Sequence, residues 1–167
     1  MHDELTQVDM EKMRQELEMR ETVLMPKILE DVKVARGFGD LSENFEYKAA
    51  KAEQRKNMSR IRYLKQMLAS AVVIEARSAN DVVGLFDSVK LFMEDDEEEI
   101  TVQFVTTLRQ NPLENRISKE SPLGRAVMGH RVGERAYVQV SDEYGYWVEI
   151  RSIEKGRDDE SMEISAY

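Results

Sequence analysis

The chain has 167 residues, 41% of them hydrophobic and 34% charged, with a net charge of -9. That length suits one domain or two small ones, and the acidic balance speaks against a simple nucleic-acid binder, whose affinity depends on Lys and Arg. The absence of cysteine excludes disulfides and thiolate metal sites. No apolar run of about 18 residues occurs, so no membrane span is predicted. The acidic start, Met1-His2-Asp3-Glu4, lacks a signal-peptide hydrophobic segment, and a cytoplasmic protein is expected.

From about residue 9 to 38 the pattern is helical. Met13, Leu17, Leu24, Ile28, Val32 and Ala35 recur at intervals of three, four or seven and form one apolar stripe. Pro26 lies inside it and predicts a kink or break near Met25. Gly37 and Gly39 then suit the end of a helix. A second helical pattern follows, with Tyr47, Ala50, Gln54, Asn57, Ile61, Leu64 and Leu68 spaced as a heptad seam. Its polar members, Gln54 and Asn57, should weaken the middle of the seam but fix its register. Two such patterns joined by a short glycine-bearing turn make an antiparallel coiled-coil hairpin, roughly 40 Å long at 1.5 Å per residue.

After Ala71 the character changes. Val72 to Ile74, Ser88 to Met93, Ile100 to Val105, Ala136 to Val140 and Trp147 to Ile153 are short β-branched and aromatic runs separated by turn residues. The acidic run Glu94 to Glu99 reads as a solvated hairpin turn. Ser121, Pro122 and Gly129 mark the cap, first position and end of one short helix. Phe86, Phe92, Phe104, Tyr137 and Trp147 are expected in the core. The predicted class is α+β, with a hairpin over 1–75, an antiparallel sheet domain with one short helix over 76–154, and a charged, loose tail over 155–167.

Charge is unevenly spread. Residues 1–75 carry 13 Lys/Arg against 14 Asp/Glu, whereas 76–167 carry 11 against 19. In the second helix, Lys48, Lys51, Arg55, Lys56, Arg60, Arg62 and Lys65 face a single acid, Glu53. They form either a solvated face or a track for a phosphate backbone. Between the helices stand Asp40 and Glu43. Asp at an N-cap with Glu three residues on fits a capping box. Two projecting carboxylates also fit Mg²⁺, which favours oxygen ligands and which two carboxylates alone would hold weakly.

Two stretches carry a resemblance. Gly39-Asp40-Leu41-Ser42-Glu43-Asn44-Phe45-Glu46-Tyr47, with Ala35-Arg36 before and Ala49-Ala50-Lys51 after, resembles the hairpin tip of the bacterial GreA/GreB transcript-cleavage factors. Ser118 to Met128, followed by Gly133-Glu134, resembles the C-terminal signature of that family. The resemblance implies a coiled-coil hairpin and an FKBP-like C-terminal domain. It implies a cytoplasmic, DNA-associated transcription elongation factor, monomeric when free, that binds RNA polymerase and passes the hairpin through its secondary channel. Asp40 and Glu43 would share Mg²⁺ with the polymerase and orient the water that cleaves nascent RNA near its 3′ end, so the chain would be an accessory factor rather than an enzyme by itself. Arg36, Lys51, Arg55, Lys56 and Arg60 would lie near the RNA. Glu120, Ser121 and Pro122 would meet the polymerase. The sequence departs from the family pattern at Phe45 (usually small), Phe38 (usually polar), Arg20 (usually leucine) and Met25 (often arginine), and it runs about a dozen residues past the usual end. The two aromatic residues motivate an alternative, a channel-binding regulator that modulates polymerase without cleavage. A prolyl isomerase and a plain coiled-coil adaptor are the remaining options. The first rests on a fold name alone, and the second leaves the C-terminal signature unexplained.

Overall fold

The structure, a computed structural model, describes residues 3–40 and 43–166. The chain forms two compact units, one of Met10–Ala71 and the other of Asp3–Asp9 with the chain from Val72 onward. Among the described residues no helix is long and apolar enough to cross a membrane.

The first unit is the helical hairpin. Its first arm runs through α1 (Gln7–Met19), a π-helical turn (Arg20–Leu24) and α2 (Met25–Arg36), and its second arm is α3 (Phe45–Ser70). Met13, Ile28, Val32 and Ala35 of the expected stripe are buried, and Leu17 and Leu24 are half-buried. Near Met25, where a kink or break is expected, the arm continues through a π turn. Proline has no N–H, and its ring would collide with a carbonyl one turn back in a regular α-helix. The wider π turn absorbs this mismatch: the Met25 N–H bonds the Arg20 carbonyl, and helical dihedrals continue on both sides.

The seam of α3 is shifted from the expected one. Asn57, Arg60, Leu64 and Met67 are buried, while Ile61 and Leu68 are only half-buried. A polar layer explains the shift. Arg20 Nη1 donates to Asn57 Oδ1 at 3.0 Å, and Asn57 Nδ2 donates back to the Arg20 carbonyl at 3.3 Å. Arg60 donates to both oxygens of Glu16 at 2.8 and 3.0 Å, and Arg20 Nε shares one of them at 2.8 Å. Arg20 therefore serves at a seam position by pairing with Glu16 on its own arm and with Asn57 across the hairpin.

The second unit contains β1 (Glu4–Leu5) paired in parallel with β2 (Val72–Val73), and a five-stranded sheet. The sheet comprises β3 (Ser88–Met93), β4 (Glu98–Val105), β5 (Arg116–Ser118), β6 (Arg135–Gln139) and β7 (Gly145–Glu154) in the order β5-β4-β3-β7-β6. Three pairings are antiparallel, as expected, but β4 and β5 run parallel, so the sheet is mixed. Two short 3-10 turns, Thr107–Arg109 and Pro112–Glu114, and the left-handed Asn115 return the chain for that pairing. Alternation places Val89, Leu91, Val102, Phe104, Ala136, Val138, Val148 and Ile150 inside, against Val127 of α4 (Pro122–Val127). Phe86 and Phe104 are core residues as expected, whereas Tyr137 and Trp147 are exposed and meet in a tilted ring contact, centroids 5.3 Å apart. The acidic turn is solvated apart from Glu94, which takes two 2.8 Å bonds from Arg135.

The tail is not loose. The Lys155 ammonium is held by Ser78, the carbonyls of Ala79 and Val82, and Asp87. A Cβ on Gly156 would lie 1.9 Å from the Phe86 carbonyl oxygen, so only glycine fits there. The fully buried Arg109 bonds Asp9 at 2.7 Å and the Asp159 carbonyl at 3.0 Å, and lies 2.6 Å from the Asp158 carboxylate. Met162 packs beside Leu85, Phe86 and Val105, and the Ser165 N–H bonds the Leu108 carbonyl. Arg109 was invisible in the sequence as an anchor because its partners lie 100 and about 50 residues away.

Candidate functional site at the hairpin tip

The first arm ends through bonds from the Gly37 and Phe38 N–H groups to the carbonyls of Val34 and Ala35, at 3.0 and 3.1 Å. Gly37 stays right-handed (φ -72), against expectation. Gly39 alone takes the positive φ, +125, with open space around the missing Cβ. Backbone conformation therefore calls for glycine at 39, and crowding does not. Leu41 and Ser42 of the tip motif lie outside the described residues.

The N-cap of α3 is Asn44, not Asp40. Its side-chain oxygen accepts from the Tyr47 N–H at 3.0 Å, and its amide donates to the Ala35 carbonyl at 2.6 Å. This buried residue closes the second helix and stitches it to the end of the first. The sequence carried the signal, an Asn just before a helical run, but the neighbouring acids drew the cap assignment. Asp40 and Glu43 are both exposed and precede the helix. Their carboxylates are hard-oxygen donors of the kind Mg²⁺ takes. Among the described residues no group of three or more His, Cys, Asp or Glu side chains is gathered for a metal.

Of the five basic residues singled out, the structure leaves Arg36, Arg55 and Lys56 exposed. Arg36 also lies 5.7 Å from the Tyr47 ring centroid. Lys51 is half-buried and donates to Gln54 at 2.8 Å. Arg60 must be removed from the face: it is 3% exposed and committed to Glu16. Burial pushes the Glu16 carboxyl up, but the bonds and charges of Arg60 and Arg20 outweigh it and hold the group below the ordinary carboxylate value.

In the second unit, Ser121 caps α4 by accepting from the Gly124 N–H at 3.0 Å, and Pro122 is exposed at the first helical position. Glu120 bonds Lys119 at 3.0 Å and faces Arg125 at 3.6 Å; these cations keep its carboxyl below its usual range. Lys119 also pairs with Glu4 of β1. Burial lowers the Lys119 ammonium, yet Glu4 and Glu120 carry it above its ordinary value. Both groups of the loop are charged at neutral pH. Pro122 is the exposed member of this trio; Glu120 and Ser121 are half-buried, the first paired with Lys119 and Arg125 and the second accepting in the cap.

Comparison with known sequences finds two family matches in succession along the chain. Residues 4–73 match the family described as transcription elongation factor, N-terminal, and residues 78–155 match transcription elongation factor, GreA/GreB, C-terminal. Transcription elongation factor GreA of Geobacillus kaustophilus is 45% identical over 136 residues, covering 81% of this chain and 86% of that protein. GreA of Caldanaerobacter subterraneus is 42% identical over 137 residues, covering 81% and 87%. Among solved structures, GreA factor homolog 1 of Thermus thermophilus aligns over 93% of this chain and 100% of that one, with 26% identity and a TM-score of 0.43.

Proposed function

The chain belongs to the GreA/GreB family of transcription elongation factors, and from that premise we propose that it binds RNA polymerase and stimulates cleavage of nascent RNA through Asp40 and Glu43. The observation that carries this role is the division of labour at the tip. Asn44 takes the helix cap and the tie between the arms. The two acids stay exposed in front of the helix.

The reaction is hydrolysis of one phosphodiester. A water oxygen attacks phosphorus in line with the departing 3′ oxygen, the phosphorus–oxygen bond breaks, and the water yields a proton while the 3′ oxygen gains one. The retained RNA ends in a 3′-hydroxyl and the released fragment begins with a 5′-phosphate. Asp40 and Glu43 would hold Mg²⁺ jointly with carboxylates of the polymerase and accept hydrogen bonds from the attacking water, which orients it. Mg²⁺, when bound there, supplies Lewis-acid stabilisation of charge on the phosphoryl oxygens. Arg36, Arg55 and Lys56 offer exposed cations to the RNA backbone, with Lys51 available by exchange from Gln54. Glu120 and Pro122 form the docking contact in the second unit. The chain acts as an accessory, because its two acids make an incomplete metal site by themselves.

The test uses a stalled, backtracked elongation complex with Mg²⁺. The chain should release short 3′ RNA fragments, and Asp40→Ala combined with Glu43→Ala should abolish release while polymerase binding persists. Undiminished release by that double variant would sink the tip mechanism. Binding with slowed initiation and no release by the natural chain would select the non-cleaving regulator instead.

A further inference from the structure

We propose that Phe45, with Lys48 beside its ring, is a stacking platform for the base of the extruded RNA 3′ nucleotide, making cleavage sensitive to the base that ends the transcript. This rests on the cleavage role proposed above. Phe45 is the first residue of α3 and is 78% exposed. It takes no part in the buried seam, which Asn57, Arg60, Leu64 and Met67 form farther along the helix. The Lys48 ammonium, three residues on, lies 5.8 Å from the ring centroid. The side chain is therefore a flat apolar surface in water, with a cation over one face and the other face open to a base. That combination suits single-stranded nucleic acid: the ring takes the face of a base and the cation meets the phosphate. The neighbours fit the same occupant. Glu43 stands two residues before the ring, and Arg36 is exposed at the end of the other arm. Phe38, 67% exposed, adds a second ring at that end of the hairpin.

An unpaired base is the occupant these features favour over an apolar protein patch. Lys48 would meet an uncompensated desolvation cost against apolar protein surface, whereas a nucleotide brings a base and an anion together. Purines present the larger face, so purine ends should stack more firmly on Phe45.

The experiment measures fragment release at saturating factor from complexes backtracked on RNAs ending in a purine, a pyrimidine or an abasic nucleotide. Phe45→Ala should slow release about tenfold on purine ends, about fivefold on pyrimidine ends, and not at all on abasic ends. Phe45→Leu, which keeps apolar bulk without the ring, should behave like Phe45→Ala, and Phe45→Trp should restore the purine preference. Because Phe45 is exposed, circular dichroism of all three variants should match the natural chain. Equal slowing on every end, abasic included, would show that the ring touches protein and would overturn the proposal. Unchanged release on every end would overturn it while leaving the cleavage role intact. No release by the natural chain would overturn both.

Discussion

The two units bury charge in different ways, and the difference says where each keeps its stability. In the hairpin, the layer of Glu16, Arg20, Asn57 and Arg60 interrupts a thin apolar seam. In the sheet unit, the Asp9–Arg109–Asp158 cluster sits apart from a continuous apolar core of Val89, Leu91, Phe104, Val138 and Ile150. The hairpin therefore has little apolar burial to spare and uses polar pairing to fix register. The sheet unit relies on packing and uses its ion cluster to tie chain ends, the segment 3–9 and the tail. A buried ion pair seldom outperforms apolar packing in stability, but losing one member is costly.

The largest stability effect should come from the sheet core. Phe104→Ala should cost about 3–5 kcal/mol, read from the denaturant midpoint; a loss under about 1 kcal/mol would mean the core is not where the stability lies. Removing residues 155–167 should cost about 3 kcal/mol, because Asp87 loses its cation and Arg109 one of its carboxylates. Protease resistance of the segment 3–9 should fall with it. In the hairpin, Glu16→Ala should cost about 2–3 kcal/mol, since Arg60 and Arg20 lose their shared acceptor and the site is only partly shielded. The pH dependence shares this origin. With its folded pKa held below the ordinary 4.5, Glu16 contributes stability above that pH, and the contribution is lost as pH falls through the folded value. Helix signal from the natural chain should weaken in that acid range, and Glu16→Gln should flatten the dependence. Asn44→Ala should be milder, about 1 kcal/mol, by loss of the cap.

Sequence periodicity exposed most of the architecture. Four long strand runs and both helical arms were visible because each repeats its apolar positions over several turns or pleats. What stayed hidden depends on pairing between distant segments. Arg60 looked like surface because a cation in a seam is explained only by Glu16 on the other helix. β5 is three residues in a polar stretch, and its parallel partner is chosen by two 3-10 turns. The tail looked loose because its charges find Arg109 and Asp87 only in the folded unit. At the tip the acids were plain from the sequence, but their exposure was not. That depended on Asn44, whose short side chain both caps α3 and reaches the Ala35 carbonyl.

The most direct test of the central claim is fragment release by Asp40→Asn combined with Glu43→Gln, which keeps side-chain shape and removes both charges. Asn44 caps α3 and ties it to the first arm, so thermal stability and polymerase binding should stay close to those of the natural chain while 3′ fragment release from backtracked complexes is lost. Release at the natural rate, or loss of release accompanied by a collapsed hairpin, would contradict the assignment of these two carboxylates as exposed participants in cleavage.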